Sequence, residues 1–159
     1  MTIYATKWSA DAGRGNVIVP DCAGDMVRNR YVLDLSDELK GVTLAVGDIV
    51  DLGPLPANYT VMDVILDADD LDTGGSPAMA FDVGIMSGKV GDTVSSRTCG
   101  AEFFSASTLA QAGGVARTTL ATAFRVAPTG ADRSIGLKVT TAAATQATTG
   151  KIGVNIDIG

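Results

Sequence analysis

The closing stretch of the chain constrains the fold most. Ile135, Leu137 and Val139 alternate with Gly136, Lys138 and Thr140, and Ile152, Val154, Ile156 and Ile158 alternate with Gly153, Asn155 and Asp157. A strict period of two puts every apolar side chain on one side of an extended chain, which a helix cannot do. Both runs are therefore expected as strands with one buried face. The small-residue stretch Thr141 to Gly150 lies between them, and together they read as an antiparallel pair. The second run continues to the end of the sequence, so that end is expected in a sheet and not as a loose tail.

The block Gly47 to Gly88 repeats the signature three times. Ile49, Val50 and Leu52 make one run, Tyr59 to Leu66 a second and Met79 to Met86 a third. Pro54-Leu55-Pro56-Ala57-Asn58 reads as a bend, because proline cannot donate to a ladder. Asp67 to Pro77 reads as a loop, and the whole block as a β-meander. Val61, Val64, Ile65 and Leu66 are too apolar for a solvated edge, so this strand is expected to be central. Gly84 leaves room for a close neighbour or marks a bulge.

Further strands are expected at Asn16 to Pro20, Arg28 to Leu35, Val42 to Val46 and Thr118 to Ala127, the last with Phe124 and Val126 inward. Ser36 to Gly41 is either one helical turn or a loop. Phe103-Phe104 is expected as a core anchor. Ser105 to Gly114 has the marks of a short helix, with Thr108 and Gln111 spaced as a capping box and Gly113-Gly114 as its stop. The total is about eight strands and one short helix. Regular strand spacing with Gly and Pro turns points to an all-β chain, a single antiparallel β-sandwich or jelly roll. Residues 1–16 read as an N-terminal arm and 17–159 as the sandwich domain. The arm holds the single Trp of the chain, Trp8, which either folds back onto the sandwich or docks on a neighbouring subunit.

Composition narrows the function. Apolar residues make up 46% of 159 residues, enough for one full core, whereas aromatics make up only 5%. No apolar run approaches the ~20 residues that span a bilayer, and no signal peptide is recognisable, so synthesis in a cytoplasm and no membrane partner are expected. The net charge of −6 is unevenly spread: residues 47–92 hold nine of the 18 acids and one base, while residues 93–159 hold six of the 12 bases. That pattern argues against a nucleic-acid binder, which needs a dense basic surface. It suits either complementarity between subunits or two solvated faces, with the loops of the central block as an acidic rim.

Catalytic signatures are missing. With no histidine, Ser-His-Asp and Cys-His arrangements and His–metal sites are excluded. Cys22 and Cys99 are too few and too far apart for a metal cluster, and two reduced thiols are expected rather than a bridge. No GxxxxGK[ST] phosphate loop occurs. The acidic turn Asp67, Asp69, Asp70, Asp72 places hard oxygens before glycines, as a Ca²⁺ loop would. The match to an EF-hand fails, since its fifth position is Leu71 and its twelfth Ala78, so a hairpin turn is expected. Neither an enzyme nor a cofactor is expected.

The segment GDIVDLGPLPANYTVMDVILDADDLDTGGSPAMAFDVGIMSG, with FFSASTLAQAGG, DRSIGLKVTTAAAT and GKIGVNIDIG, resembles small structural proteins encoded beside the major capsid protein of tailed phages. In that family a turn like Leu52 to Pro56 leads to an apolar strand like Val61 to Leu66. An acidic turn like Asp69 to Gly74 follows, then a strand ending like Asp82 to Ile85. The resemblance covers most of residues 30–159 and leaves the first 29 unmatched. It implies a capsid decoration (cement) protein, or another minor head protein, with a β-sandwich fold. Its partners would be the major capsid protein and further copies of itself, as a homotrimer or other homo-oligomer. It would sit on the virion surface after synthesis in the host cytoplasm. No functional residue carries over from a motif. On this reading Tyr4, Lys7 and Trp8 lie in or near a subunit or capsid contact. A tail-tube or head–tail connector protein ranks lower, because no loop is obviously long enough for stacking. A carbohydrate-binding or adhesive sandwich ranks lower still, because sugar recognition commonly needs exposed aromatics.

Overall fold

The computed structural model describes residues 1–10 and 25–159. The strand expected at Asn16 to Pro20 and the side chain of Cys22 lie outside the described residues. Nine strands are seen among the described residues: β1 (Ile3–Ala5), β2 (Val27–Asp34), β3 (Ile49–Leu55), β4 (Val61–Ala68), β5 (Ala80–Met86), β6 (Phe104–Ser107), β7 (Gly114–Arg117), β8 (Arg133–Thr141) and β9 (Lys151–Ile158). One helical turn, α1 (Lys7–Ala10), and two 3₁₀ turns, Leu109–Gln111 and Ala123–Arg125, complete the inventory. No described helix is long and apolar enough to cross a membrane.

The strands form two sheets, β1-β3-β8-β5-β6 and β2-β9-β4-β7. The pairing is nested. β5 pairs with β6, β4 with β7, β3 with β8 and β2 with β9, all antiparallel. The chain from β2 to β9 is thus one long hairpin, and the added pairs β4–β9 and β5–β8 close it on itself when it is wound. This is the jelly-roll form of the sandwich. β1 adds to it in parallel at the edge of the first sheet.

Two expected pairings are corrected by this topology. β3, β4 and β5 do not form a meander, because β4 lies in the opposite sheet from the other two. β8 and β9 are both strands, yet they too lie in opposite sheets, and residues 142–150 carry the chain across. The reason is geometric. An alternating strand buries its apolar face equally well beside its sequence neighbour or across the sandwich from it. The expected central strand β4 does lie between β9 and β7.

Local expectations also changed. Val42 to Val46 has no strand, and Ser36 to Gly41 is a run of turns organised by Asp34, whose Oδ1 accepts from the Ser36 amide at 3.0 Å. Pro54 lies inside β3. It sits past the end of the three-residue β1, where β3 has a strand only on its β8 side, so no ladder bond is lost on the open side. Residues 105–107 continue β6 instead of starting a helix, because the edge of β5 takes up their backbone. Only Leu109–Gln111 turns, and Thr108 makes no side-chain cap. The strand expected at 118–127 is absent: Thr118 and Thr122 hydroxyls donate to the carbonyls of Phe103 and Glu102, both at 2.7 Å, and the chain coils there. Val126 is buried as expected, but Phe124 is 46% exposed.

The core fills the space between the sheets. Ile135, Leu137 and Val139 from one sheet meet Ile152, Val154 and Ile156 from the other, with Phe81, Phe103 and Tyr31 as the largest buried rings. Tyr31 also spans the sheets by donating its hydroxyl to the Pro54 carbonyl at 2.6 Å. Gly84 lacks a side chain for the reason expected, since a Cβ there would collide with the Glu102 carboxylate and the Gly100 backbone.

Candidate interface

The N-terminal residues fold onto the sandwich. β3 carries a bulge between Asp51 and Gly53, and the Asp51 carbonyl there accepts from the Thr6 amide at 2.9 Å. The Thr6 hydroxyl donates to the Leu52 carbonyl at 2.5 Å and the Ser9 hydroxyl to that of Asp51 at 2.9 Å. These bonds lead Trp8 inward, where it packs edge-on to Tyr31 with ring centroids 6.4 Å apart. Of the two alternatives for Trp8 the structure shows the fold back, although its buried indole Nε1 has no hydrogen-bond partner. Tyr4 is half-buried in β1. Lys7 is exposed, its side chain 62% accessible and its Nζ 4.0 Å from Asp37. Tyr4, Lys7 and Trp8 therefore share one corner of the molecule, and Lys7 is the member that faces solvent.

The acidic block does not form a rim. Of its nine carboxylates only Asp69 and Asp70 are exposed; Asp48, Asp51 and Asp72 are buried. The bases of the flanking segments neutralise several of them within the chain: Arg97 pairs with Asp51, Arg117 with Asp63 and Arg30 with Asp67. Part of the uneven charge of the sequence is thus consumed by folding. In the acidic turn the four carboxylates go to separate partners. Asp67 takes Arg30, Asp69 accepts from the Lys151 amide, and Asp70 accepts from the Asp72 amide. No described group of three or more acidic, Cys or His side chains converges as a metal site would require.

Asp72 has a structural role that its position in the turn conceals. Oδ2 accepts from the amides of Ala78, Met79 and Ala144 at 2.6, 2.9 and 3.0 Å, and Oδ1 from Thr145 at 2.9 Å. The carboxylate joins the 69–79 loop to the crossover between β8 and β9. Burial works to raise its pKa, but the four N–H donors outweigh burial and hold it well below the usual carboxylate range. A depressed folded value means stability that is present above the unfolded pKa and lost as pH falls through the folded one. Asp72→Asn is expected to melt several degrees below the wild type at pH 7, because either amide orientation sets an NH₂ against an N–H. The gap should narrow as pH drops below about 4, the ordinary aspartate value. Asp34, held at about 2 by the Ser36 hydroxyl and Lys151, titrates in both proteins and cancels in the comparison. Melting curves from pH 7 to pH 2 check this; a gap that stays constant refutes it.

A second buried charge clamps the outer face of the first sheet. The Arg97 guanidinium reaches Asp51 Oδ2 at 2.7 Å, the Asp92 carbonyl at 2.6 Å, the Ser87 carbonyl at 2.7 Å and Ser134 Oγ at 2.8 Å. It fastens the 87–100 loop over β3 and β8. Cys99, near the end of this loop, is a free thiol, its pKa pushed up to about 12 first by burial and then by Glu102, which makes it a poor nucleophile.

Two of the exposed apolar side chains meet at one end of the second sheet. Met26 and Met62 are 61% and 46% exposed and flank Gly159, each within 4 Å of where a Cβ would stand there. Beside them Arg28 makes a two-pronged bond to Asp157, both prongs 2.6 Å. Paired methionines adapt to irregular partners and are enriched in interfaces. Sequence reasoning missed this patch, since Met26 belongs to no periodic run and Met62 sits on the outward side of its strand. It also missed the Arg97 clamp, although an aspartate inside the apolar run Ile49 to Leu52 is the signal of a buried charge in need of a partner.

No protein-family model and no curated protein sequence matches the chain. Solved structures do. A chain in the structure titled "Capsid of Ralstonia phage GP4" is 44% identical, with 98% of this chain and 96% of that one covered and a TM-score of 0.89. The chain belongs to a family of phage capsid proteins. Identity at that level over nearly the whole of both chains includes the segment the family resemblance had left unmatched. A chain in the structure titled "Cyanophage Pam1 capsid asymmetric unit", 23% identical over 91% of this chain and 93% of that one with a TM-score of 0.61, shares the fold. This phage capsid protein is a structural component of the virion.

Proposed function

We propose that the chain is a capsid decoration (cement) protein, which binds the outer surface of the phage head and stabilises it. The single observation that carries this reading is the 44% identity along the whole chain to a chain of a phage capsid. The form of the molecule supports a part added to a shell. Its two sheets enclose one main core, its buried charges serve the fold, and the exposed methionines Met26 and Met62 stand together on its surface. Its partners on this reading are the major capsid protein and further copies of itself, as a homotrimer or other homo-oligomer. The role is structural and not catalytic.

Capsids assembled without this protein provide the test. Purified protein is expected to co-sediment with them saturably and to raise the temperature at which they disrupt. Shells that cannot assemble at all in its absence would overturn the reading, because that is the behaviour of a shell-forming subunit.

The corner of Tyr4, Lys7 and Trp8 is proposed as part of the contact. Deleting residues 2–15 would remove β1 from the sheet, so a point change is the cleaner probe. Lys7→Glu is expected to leave stability within about 0.5 kcal/mol, as for other exposed sites, and to weaken capsid binding several-fold. Unchanged binding in a sedimentation titration would remove Lys7 from the contact.

A further inference from the structure

The sandwich is open at the end where β8 begins, and an arginine stands in the opening. Alternation along β8 puts Ile135, Leu137 and Val139 toward the core, and Arg133 shares their side of the strand. Its guanidinium therefore lies at the mouth of the core and not on the outer face of the sheet. There it lines a cavity of about 390 Å³ with Ile85, Glu102, Arg125, Val126 and Thr129.

The chemistry of this cavity is unbalanced. Nε and Nη2 of Arg133 are buried and have no hydrogen-bond partner. Glu102 is near enough to favour the charged form, while burial disfavours it more strongly and lowers the Arg133 pKa. The Glu102 carboxylate is itself engaged by the Ile85 amide at 2.8 Å. Arg133 as a whole is half-buried, but two buried N–H donors without an acceptor destabilise the protein that carries them. The cavity thus offers two guanidinium groups against one carboxylate, in a chain whose net charge is −6. Its walls at Ile85 and Val126 are aliphatic, and Phe124, 46% exposed, stands next to Arg125 in the sequence.

We propose that this cavity receives a carboxylate side chain presented by the capsid shell. The Arg133 fork holds the carboxylate, Arg125 is the second cation, and Ile85 and Val126 pack the aliphatic stem. Guanidinium suits this task because its paired N–H donors match both oxygens of a carboxylate. The inference rests on the decoration reading for the source of the carboxylate, but not for the cavity's preference.

Arg133→Met and Arg133→Lys separate the possibilities. Methionine removes the two buried, unpaired N–H donors, so the isolated variant is expected to melt above the wild type. Its binding to capsids assembled without this protein should be weaker by at least about tenfold. Lysine keeps the charge without the fork and should fall between the two. Wild-type binding by Arg133→Met overturns the proposal. Loss of the oligomer in native mass measurements of Arg133→Met also overturns it, and assigns the cavity to a second copy of the chain. A separate readout uses sodium succinate on the isolated protein, compared with sodium chloride at equal ionic strength. Succinate should raise the wild-type melting temperature and leave that of Arg133→Met unchanged; equal responses overturn the carboxylate preference. If the succinate effect holds while wild-type protein ignores capsids, the decoration reading falls and the carboxylate site stands.

Discussion

Arg97→Met should be the most damaging single change on the outer face of the first sheet, costing about 3–5 kcal/mol. For a domain of this size that is a fall of about 10 °C in melting temperature. The reason is the charge left behind. Asp51 and Arg97 are 0% and 3% exposed, and Asp51 Oδ1 already lacks a partner. Without the guanidinium, Asp51 retains only the Ser134 hydroxyl at 2.8 Å and the Gly91 amide at 3.1 Å. The Ser87 and Asp92 carbonyls lose their donors at the same time, so the 87–100 loop is expected to loosen as well. A double-mutant cycle with Asp51→Asn identifies the cause. If the isolated charge dominates, the double variant is more stable than Arg97→Met alone. A double variant no better than the single one would place the loss in the loop's hydrogen bonds instead.

Gly53→Ala should rank with it, through overpacking. A Cβ at Gly53 would stand 2.6 Å from Cε1 and 2.8 Å from Cγ of Tyr31, closer than non-bonded carbons come. The ring cannot retreat: it is 1% exposed and its hydroxyl is tied to Pro54 next door. Gly53 belongs to one sheet and Tyr31 to the other, so the clash pushes the layers of the sandwich apart. A cost of about 3 kcal/mol, the upper part of the usual range for added core volume, is expected. Gly153→Ala is the control. Its new Cβ meets the tips of Arg30 and Asp67, at 2.6 Å in each case, and flexible side chains can move aside. Urea unfolding of the two variants should separate them clearly. Adding Tyr31→Leu to Gly53→Ala should recover part of the loss, and no recovery would show that the ring is not the obstacle.

Both predictions concern features only partly visible in the sequence. Asp51 breaks an apolar run and so announces a buried charge, but its partner lies 46 residues away, and no spacing rule connects them. Gly53 looks like an ordinary turn glycine before proline. Only the opposing sheet shows why a side chain is excluded there. Trp8 offered no period to place it; the bonds of Thr6 and Ser9 to the Leu52 and Asp51 carbonyls bring it inward. Met26, Met62 and Arg133 escaped for a similar reason. Their importance lies in what stands beside them after folding.

The sequence by itself determined the all-β class, the positions of most strands, the central place of β4 and the core roles of Phe103 and Phe104. These follow from period-two alternation and from side-chain size, which are local and survive any arrangement of the strands. It also carried the link to phage structural proteins, through the pattern of its turns. The tertiary structure alone decided which strands pair. It turned an expected meander into a nested, coiled hairpin and sent β8 and β9 to opposite sheets. It also spent part of the uneven charge inside the chain, on Asp51–Arg97, Asp63–Arg117 and Asp67–Arg30. The physical reason is the same in each case. Burial and charge are satisfied by any suitable neighbour in space, so the sequence states the need while the folded sandwich chooses the partner.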